Sequence, residues 1–385
     1  NNDEGCGITG DLLLDQCLGN KDGKLLLDGI DTSWKRIPNN VTVQALIAKV
    51  NQHYQIDKPE SVLPDLIQLH KSLDQINDDY WKNEKKKEVE KLILACGGIW
   101  FESIAKKPDY AIGDQIKVDN AIIARRPNVK VQLIKLNGQE THKNLVNNVL
   151  LKDSIAVRAT NSTQPYWLVS PHAKGKFNVS DFNLTGYPEN PNRPQVSFEL
   201  NINGSLIGFD QPIQYKYTDP VRGEIYNPVV ILPQLTAKSS SPLALTQNAK
   251  AVNVNLLFKK NEQNPTQSFN IQAIGAKGWE ITPSSFDLQF DPGVSDLSKE
   301  ITIKPLDATV SSIDTLHFQI DHKENLKETK TIAYSHIPEI VYFPDVSIKM
   351  SNINLNNEVK KVAYIHGAGD LIPESLSAIG IKVDY

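Results

Sequence analysis

Cysteine is scarce in this chain: Cys6, Cys17 and Cys96 are the only three in 385 residues. Three thiols cannot form a disulfide framework, so an apolar core has to hold the fold. They leave room for one Cys6–Cys17 bridge, and they suit a reducing compartment and an exported bacterial protein equally. An excess of one charge is also missing. The formal net charge of −4, without a basic stripe, argues against a nucleic-acid partner. No apolar run approaches the roughly 18–20 residues of a membrane-crossing helix, so no membrane span is expected. Asn1–Glu4 carries neither the basic start nor the apolar stretch of an export leader. Metal-ligand spacing is lacking too. The histidines at 53, 70, 142, 172, 317, 322, 336 and 366 are scattered, with no pair at the H-x-x-x-H spacing that places two imidazoles on one helix face. No cofactor or metal is therefore expected within this chain.

What is present is the composition of a globular protein, 40% hydrophobic and 22% charged, with length for roughly two to four domains. Residues 1–40 are Gly- and Asp-rich and read as a tail or linker. Residues 41–108 read as a helical bundle. Val43, Leu46, Ile47 and Val50 share one helix face, Pro64 is placed to start a second helix, and a third helix is expected from about Asp78 to Ala105. Cys96 falls on the apolar face of that helix with Leu92, Ile93 and Trp100, where burial raises a thiol's pKa and makes it inert. A nucleophilic role for Cys96, as in a thiol hydrolase, is the minor reading.

From Asp109 the helical period gives way to short β-branched runs separated by Asn, Gly and Pro turns. Gln115–Ala124, Val129–Leu136, Ser154–Ala159, Gln195–Ile202, Ile213–Tyr217 and Val229–Leu232 imply a β-sandwich over 109–237. The Ser/Pro stretch Lys238–Pro242 reads as a linker. A second, immunoglobulin-like sandwich is expected over 238–335, from strands at Ala251–Phe258, Ser268–Ala273, Trp279–Thr282, Phe286–Phe290, Glu300–Lys304, Thr315–Ile320 and Thr329–Tyr334. Residues 336–385 read as a linker followed by a strand (Val362–Ile365), a Pro-started helix (Pro373–Ile379) and a strand (Lys382–Tyr385). That is the opening of a parallel α/β domain, which needs further strands and helices to bury its apolar faces. The expected class is thus mixed and mainly β, and the chain is expected to belong to a longer parent protein.

Few motifs carry chemistry. Gly5–Gly10 matches G-x-G-x-x-G, but no strand precedes it to aim a dinucleotide, so it reads as a glycine loop. Five N-x-S/T triplets (Asn40, Asn161, Asn178, Asn183, Asn203) matter only in a eukaryotic secretory setting. Tyr166, Trp167 and Trp279 are the candidate glycan contacts, because a flat ring can stack on a sugar. In an extended Gln164–Val169 one ring of the Tyr166-Trp167 pair would face the core, and Trp279, alternating with Ile281, would fill the second sandwich. Asp219-Pro220 and Gly223 form a turn core, with Arg222 placed to pair with a local carboxylate.

Four segments in one order carry a resemblance: LLLDGIDTSWKRIP (Leu25–Pro38), YKYTDPVRGEIYNP (Tyr215–Pro228), HIPEIVYFP (His336–Pro344) and VAYIHGAGDLIPESL (Val362–Leu376). They resemble the region downstream of the catalytic domain in the large PIG-L/LmbE-like deacetylases of Bacteroidetes-type bacteria. GAKGWEITP (Gly275–Pro283) is similar to Ig-like modules attached to carbohydrate-active enzymes. The resemblance implies a parent zinc-dependent hydrolase of N-acetyl sugars, whose metal site centres on an Ala-His-Pro-Asp-Asp motif and a later histidine. His172 follows a proline here but continues Ala173-Lys174, so no catalytic or metal residue carries over. The family's glycine loop continues with Arg-Gly, whereas Asp11 follows Gly10 here. The implied partners are the missing N-terminal deacetylase domain, which would hold the zinc, a C-terminal amidotransferase-like domain of the same parent, and glycan. Export or a periplasmic location would follow if the parent carries a leader. The alternative is a free-standing carbohydrate-binding or adhesion module.

Overall fold

The computed structural model describes residues 31, 33–173, 175–191, 193–247, 250–262, 267–307, 312–334, 336–353, 358–365, 367 and 370–384. Cys6, Cys17, the Gly5–Gly10 motif, His366 and Gly369 lie outside the described residues, as does most of the 1–40 tail. The chain is mainly β with few helices, and it divides into two compact units.

The first unit comprises 31, 33–101, 121–151 and 197–210 of the described residues. Its helices are α1 (Val41–His53), α2 (Leu63–Ser72) and α3 (Asp79–Gly97). Val43 and Leu46 of α1 are buried, and so are Leu63, Leu66 and Leu69 of α2 and Val89, Ile93 and Cys96 of α3. Pro64 sits in the first turn of α2, where its missing N–H costs no helix bond. Asp78 caps α3 by accepting from the Trp81 N–H at 3.0 Å. The expected continuation of α3 to Ala105 is overturned. Gly98, at φ +60°, ends the helix, and Ile99–Ala105 is a β-strand. Ile99, Phe101, Ser103 and Ala105 then alternate inward with period two, Ser103 Oγ donating to Asn120 Oδ1 at 2.7 Å, and Trp100 and Leu92 are exposed rather than packed with Cys96. The unit also holds the body of a sheet ordered Gln139–Asn144, Val131–Leu136, Gln195–Ile202, Ser205–Pro212. Phe101 stacks on the fully buried Phe198 with ring centroids 4.5 Å apart.

Asp65 of α2 is the buried carboxylate of this unit. Lys49 Nζ donates to its Oδ1 at 2.7 Å, and His53 Nδ1 meets its Oδ2 at 2.7 Å. The Lys49 hydrogen bond holds the Asp65 carboxyl below its ordinary range; burial opposes this and His53 supports it. The lowered folded value means that the stabilisation is complete above the ordinary aspartate range and is lost as pH falls through the folded value. Urea unfolding between pH 6 and pH 3 is expected to show a shallower acid loss in Asp65→Asn than in the parent chain. Identical acid limbs would contradict the assignment.

The second unit comprises 102–120, 152–196 and 211–384 of the described residues. A five-stranded sheet, most of it in this unit, runs Gly223–Pro228, Gln214–Asp219, Ile99–Ala105, Gln115–Ala124, Leu151–Arg158. Gln214–Asp219 and Gly223–Pro228 form a hairpin, whose Asp219 Oδ1 accepts from Val221 and Arg222 N–H at 2.9 and 2.8 Å. This is the rigid turn expected from the sequence. The Arg222–Asp219 pair, at 3.8 Å, is exposed and worth little.

Residues 235–353 form two sheets that share one apolar core. One is ordered Leu235–Ser239, Val252–Lys260, Asp296–Pro305, Trp279–Thr282. The other is ordered Leu243–Gln247, Ser347–Ile353, Ser312–Ile320, Gln267–Ile274, Ser285–Phe290. Val254, Leu256 and Phe258 from the first meet Ile271, Phe290, Phe318, Ile348 and Met350 from the second in one buried cluster.

Three expectations are corrected here. Lys238–Pro242 is not a linker between domains. The chain switches from one sheet to the other within the sandwich there, and the serine hydroxyls satisfy backbone groups freed by the bend. Asn255 N–H donates to Ser240 Oγ at 3.0 Å, and Ser241 Oγ donates to Leu243 O at 2.7 Å. Ser347–Ile353, expected within a linker, is a central strand paired with both Leu243–Gln247 and Ser312–Ile320. The run expected at Thr329–Tyr334 is shorter, Lys330–Ile332, and pairs with Ile340–Tyr342 outside the sandwich. Near the end of the chain Lys361–Ala363 and Lys382–Asp384 pair in parallel, joined through α4 (Ile372–Ala378). The strand-helix-strand expected there is thus present.

Candidate functional site

Between the strands Leu151–Arg158 and Gln195–Ile202 the chain makes a long excursion, residues 159–194. Among the described residues its helical turns are Tyr166–Leu168 and Phe182–Leu184. Connections beyond roughly 12–15 residues without structure of their own are uncommon and tend to be functional. Prolines at 165, 171, 188, 191 and 194 and the absence of an apolar period explain why neither a strand nor a long helix forms.

Polar side chains tether this loop. Ile231 N–H donates to Thr163 Oγ1 at 2.9 Å, and Phe343 N–H to Gln164 Oε1 at 3.0 Å. Asn190 Nδ2 donates to Gln164 O at 2.8 Å, and Tyr166 OH to Tyr187 O at 3.2 Å. These groups are spent on holding the loop. They leave a groove of about 660 Å³ whose walls include Arg158, Ser162, Tyr166, Ser180, Arg193 and Gln195. A smaller cleft of about 270 Å³ lies against Trp167, Pro188, Pro228 and Ile337–Ile340 and is mostly apolar.

Tyr166 and Trp167 do not lie on a strand, which corrects the expectation that one would be core and the other exposed. They open a helical turn, meet edge to face with centroids 4.9 Å apart, and are both half-buried. Each lines a different hollow: Tyr166 the larger groove, Trp167 the smaller apolar cleft. Trp279 is 6% exposed inside the sandwich core and presents no face for stacking. The structure therefore brings Tyr166 and Trp167 together and leaves Trp279 apart from them in the fold. Sequence reading missed the groove itself and its arginines. The available signal was a proline-punctuated gap between the strands read at Ser154–Ala159 and Gln195–Ile202.

Charge in the groove is uneven. Arg193 Nη2 pairs with Glu189 Oε2 at 2.7 Å, and Asp181 Oδ1 accepts from Asn183 N–H and Nδ2 at 3.0 Å each. Arg158, at the end of its strand, is exposed and has no partner among the described residues. Among the described residues no group of three or more His, Cys, Asp or Glu side chains is placed to share a metal ion, and His172 is followed by no carboxylate pair. Cys96 is buried, and that burial pushes its thiol up, against Arg126 and with Glu60. No helix among the described residues is long and apolar enough to cross a membrane.

No family model and no curated protein matches this chain. Solved structures do. A non-cellulosomal cohesin from the hyperthermophilic archaeon Archaeoglobus fulgidus is 10% identical over 31% of this chain and 92% of its own, with a TM-score of 0.19. The native conformation of Escherichia coli alpha-2-macroglobulin is 9% identical over 66% of this chain and 17% of its own, with a TM-score of 0.24. The Yersinia pseudotuberculosis adhesin InvE is 8% identical over 65% of this chain and 58% of its own, with a TM-score of 0.19. Scores this low carry no argument about function, and the description of the fold rests on the sheets themselves.

Proposed function

We propose that this chain is a non-catalytic, β-rich binding region that holds a glycan in the groove of residues 159–194. It serves as the accessory region of a larger PIG-L/LmbE-like deacetylase, with an immunoglobulin-like second sandwich and an amidotransferase-like terminal unit. In that role it would position the catalytic domain on glycan or envelope substrates. One observation carries the binding reading: a long loop, tethered by its own side chains, presents a half-buried aromatic ring beside unspent polar groups. Such a pre-formed concave site with a few convergent polar groups is the usual form of a small-ligand site. The parentage rests on the four sequence segments alone.

Calorimetry of the full chain against a panel of bacterial envelope and host glycans tests the binding reading. Removing the Tyr166 ring takes away roughly 55 Å² of apolar contact at about 25 cal/mol/Å², about tenfold in affinity. Tyr166→Ala is therefore expected to bind about tenfold more weakly, while Tyr166→Phe, which loses only the hydroxyl tether to Tyr187, keeps most of the affinity. Unaltered affinity in Tyr166→Ala, or silence across the panel, would sink the reading. An Ala-His-Pro-Asp-Asp motif upstream in the same reading frame would support the parentage. A stop there would favour the free-standing module.

A further inference from the structure

We infer that the groove selects an acidic glycan, one whose sugar units bear carboxylates, and that Arg158 is the residue that reads the acid; this rests on the glycan-binding reading above. The argument begins with which groups are already committed. Thr163, Gln164 and Asn190 spend their hydrogen bonds on anchoring the loop, and Arg193 is paired with Glu189. Arg158 keeps a full guanidinium fork without a partner among the described residues, at the point where the strand enters the groove. Ser162, Ser180 and Gln195 supply neutral donors and acceptors around it.

The one acidic side chain on the wall, Asp181, has one oxygen turned to Asn183. With Arg193 offset by Glu189, Arg158 is the lining cation that has no ion-pair partner among the described residues. The fork geometry of Arg matches a carboxylate with two parallel N–H···O bonds, which a neutral hydroxyl cannot accept in the same way. A chain with a net charge of −4 would otherwise repel a polyuronate, so a local cationic site is what allows the approach.

The test titrates the full chain with polygalacturonate and with the same polymer after its carboxyls are reduced to alcohols. The native protein is expected to bind the acidic polymer at least about tenfold more tightly, and the preference should shrink as salt rises. Arg158→Ala should bring the two affinities together. Arg158→Lys should keep part of the preference, because the charge remains but the fork is lost. Arg158 is exposed, so melting curves should coincide and exclude misfolding as the cause. Equal binding of both polymers with Arg158→Ala unchanged overturns this inference and leaves the glycan reading standing. If neither polymer binds while another glycan binds through Tyr166, the acid selection alone falls. If nothing binds at all, both fall.

Discussion

Trp279→Ala is expected to lower the unfolding free energy by about 3–5 kcal/mol and to leave the glycan affinity of the folded fraction unchanged. The ring is 6% exposed and belongs to the cluster that joins the two sheets of the 235–353 sandwich. Its strand, Trp279–Thr282, pairs along Asp296–Pro305 at the edge of its sheet, with Trp279 opposite Pro305. Truncation removes the largest side chain at that end of the core, and neighbours anchored in paired strands can close only part of the hole. The edge position lets water or small shifts relieve some of the loss, which favours the lower half of the range. Urea titration measures this as a fall in midpoint at constant slope. A loss below about 1 kcal/mol, or a selective loss of glycan binding, would return Trp279 to the list of surface contacts.

Gly98→Val is expected to cost about 2–3 kcal/mol, a large effect for a residue with no side chain to lose. Gly98 sits at φ +60°, and its N–H closes α3 on Ala95 O at 3.2 Å. A β-branched residue in this left-handed conformation is a genuine outlier. A Cβ added here would also lie 2.8 Å from Arg126 Cγ, near the stem of a side chain whose Nε is 3.7 Å from Glu60 Oε2. The carbonyl of Gly98 accepts from Arg125 N–H at 2.9 Å, so moving the backbone to relieve the clash would break a second contact. Thermal melts of Gly98→Ala and Gly98→Val separate the two causes. The alanine variant meets the strain and the crowding, and the valine variant adds branching. Wild-type stability in both would show that the turn relaxes freely.

Gly98 also marks a limit of the sequence reading. Gly97-Gly98 followed by Ile99 and Trp100 continues an apolar helical spacing, and a glycine pair inside a helix costs only about 1 kcal/mol per residue. The alternative, a strand alternating Ile99, Phe101, Ser103, Ala105, fits the same residues. Pairing with Gln214–Asp219, more than a hundred positions away, decides between them. The same holds for Ser347–Ile353. Its Ile348 and Met350 alternate, but Asn352 occupies the next inward position, where Thr246 Oγ1 donates to its Oδ1 at 2.9 Å and its Nδ2 donates to Asp307 O at 3.5 Å. A buried polar residue breaks the apolar alternation in the sequence, and its partner is visible only in the fold.

What the sequence determined by itself was local. The mainly β class, the face of α1 and the start of α2, the ranges of Gln115–Ala124, Gln195–Ile202 and Trp279–Thr282, the Asp219 turn and the strand-helix-strand near the end of the chain follow from periods, caps and turn residues. These are short-range preferences that the residues carry with them. Only the tertiary structure decided that Lys238–Pro242 switches sheets, that Trp279 is core while Tyr166 and Trp167 line separate hollows, and that Arg158 stands unpaired at a groove. Each of those depends on which distant backbone satisfies which donor, and sheet pairing and loop tethering are settled between residues far apart in the chain.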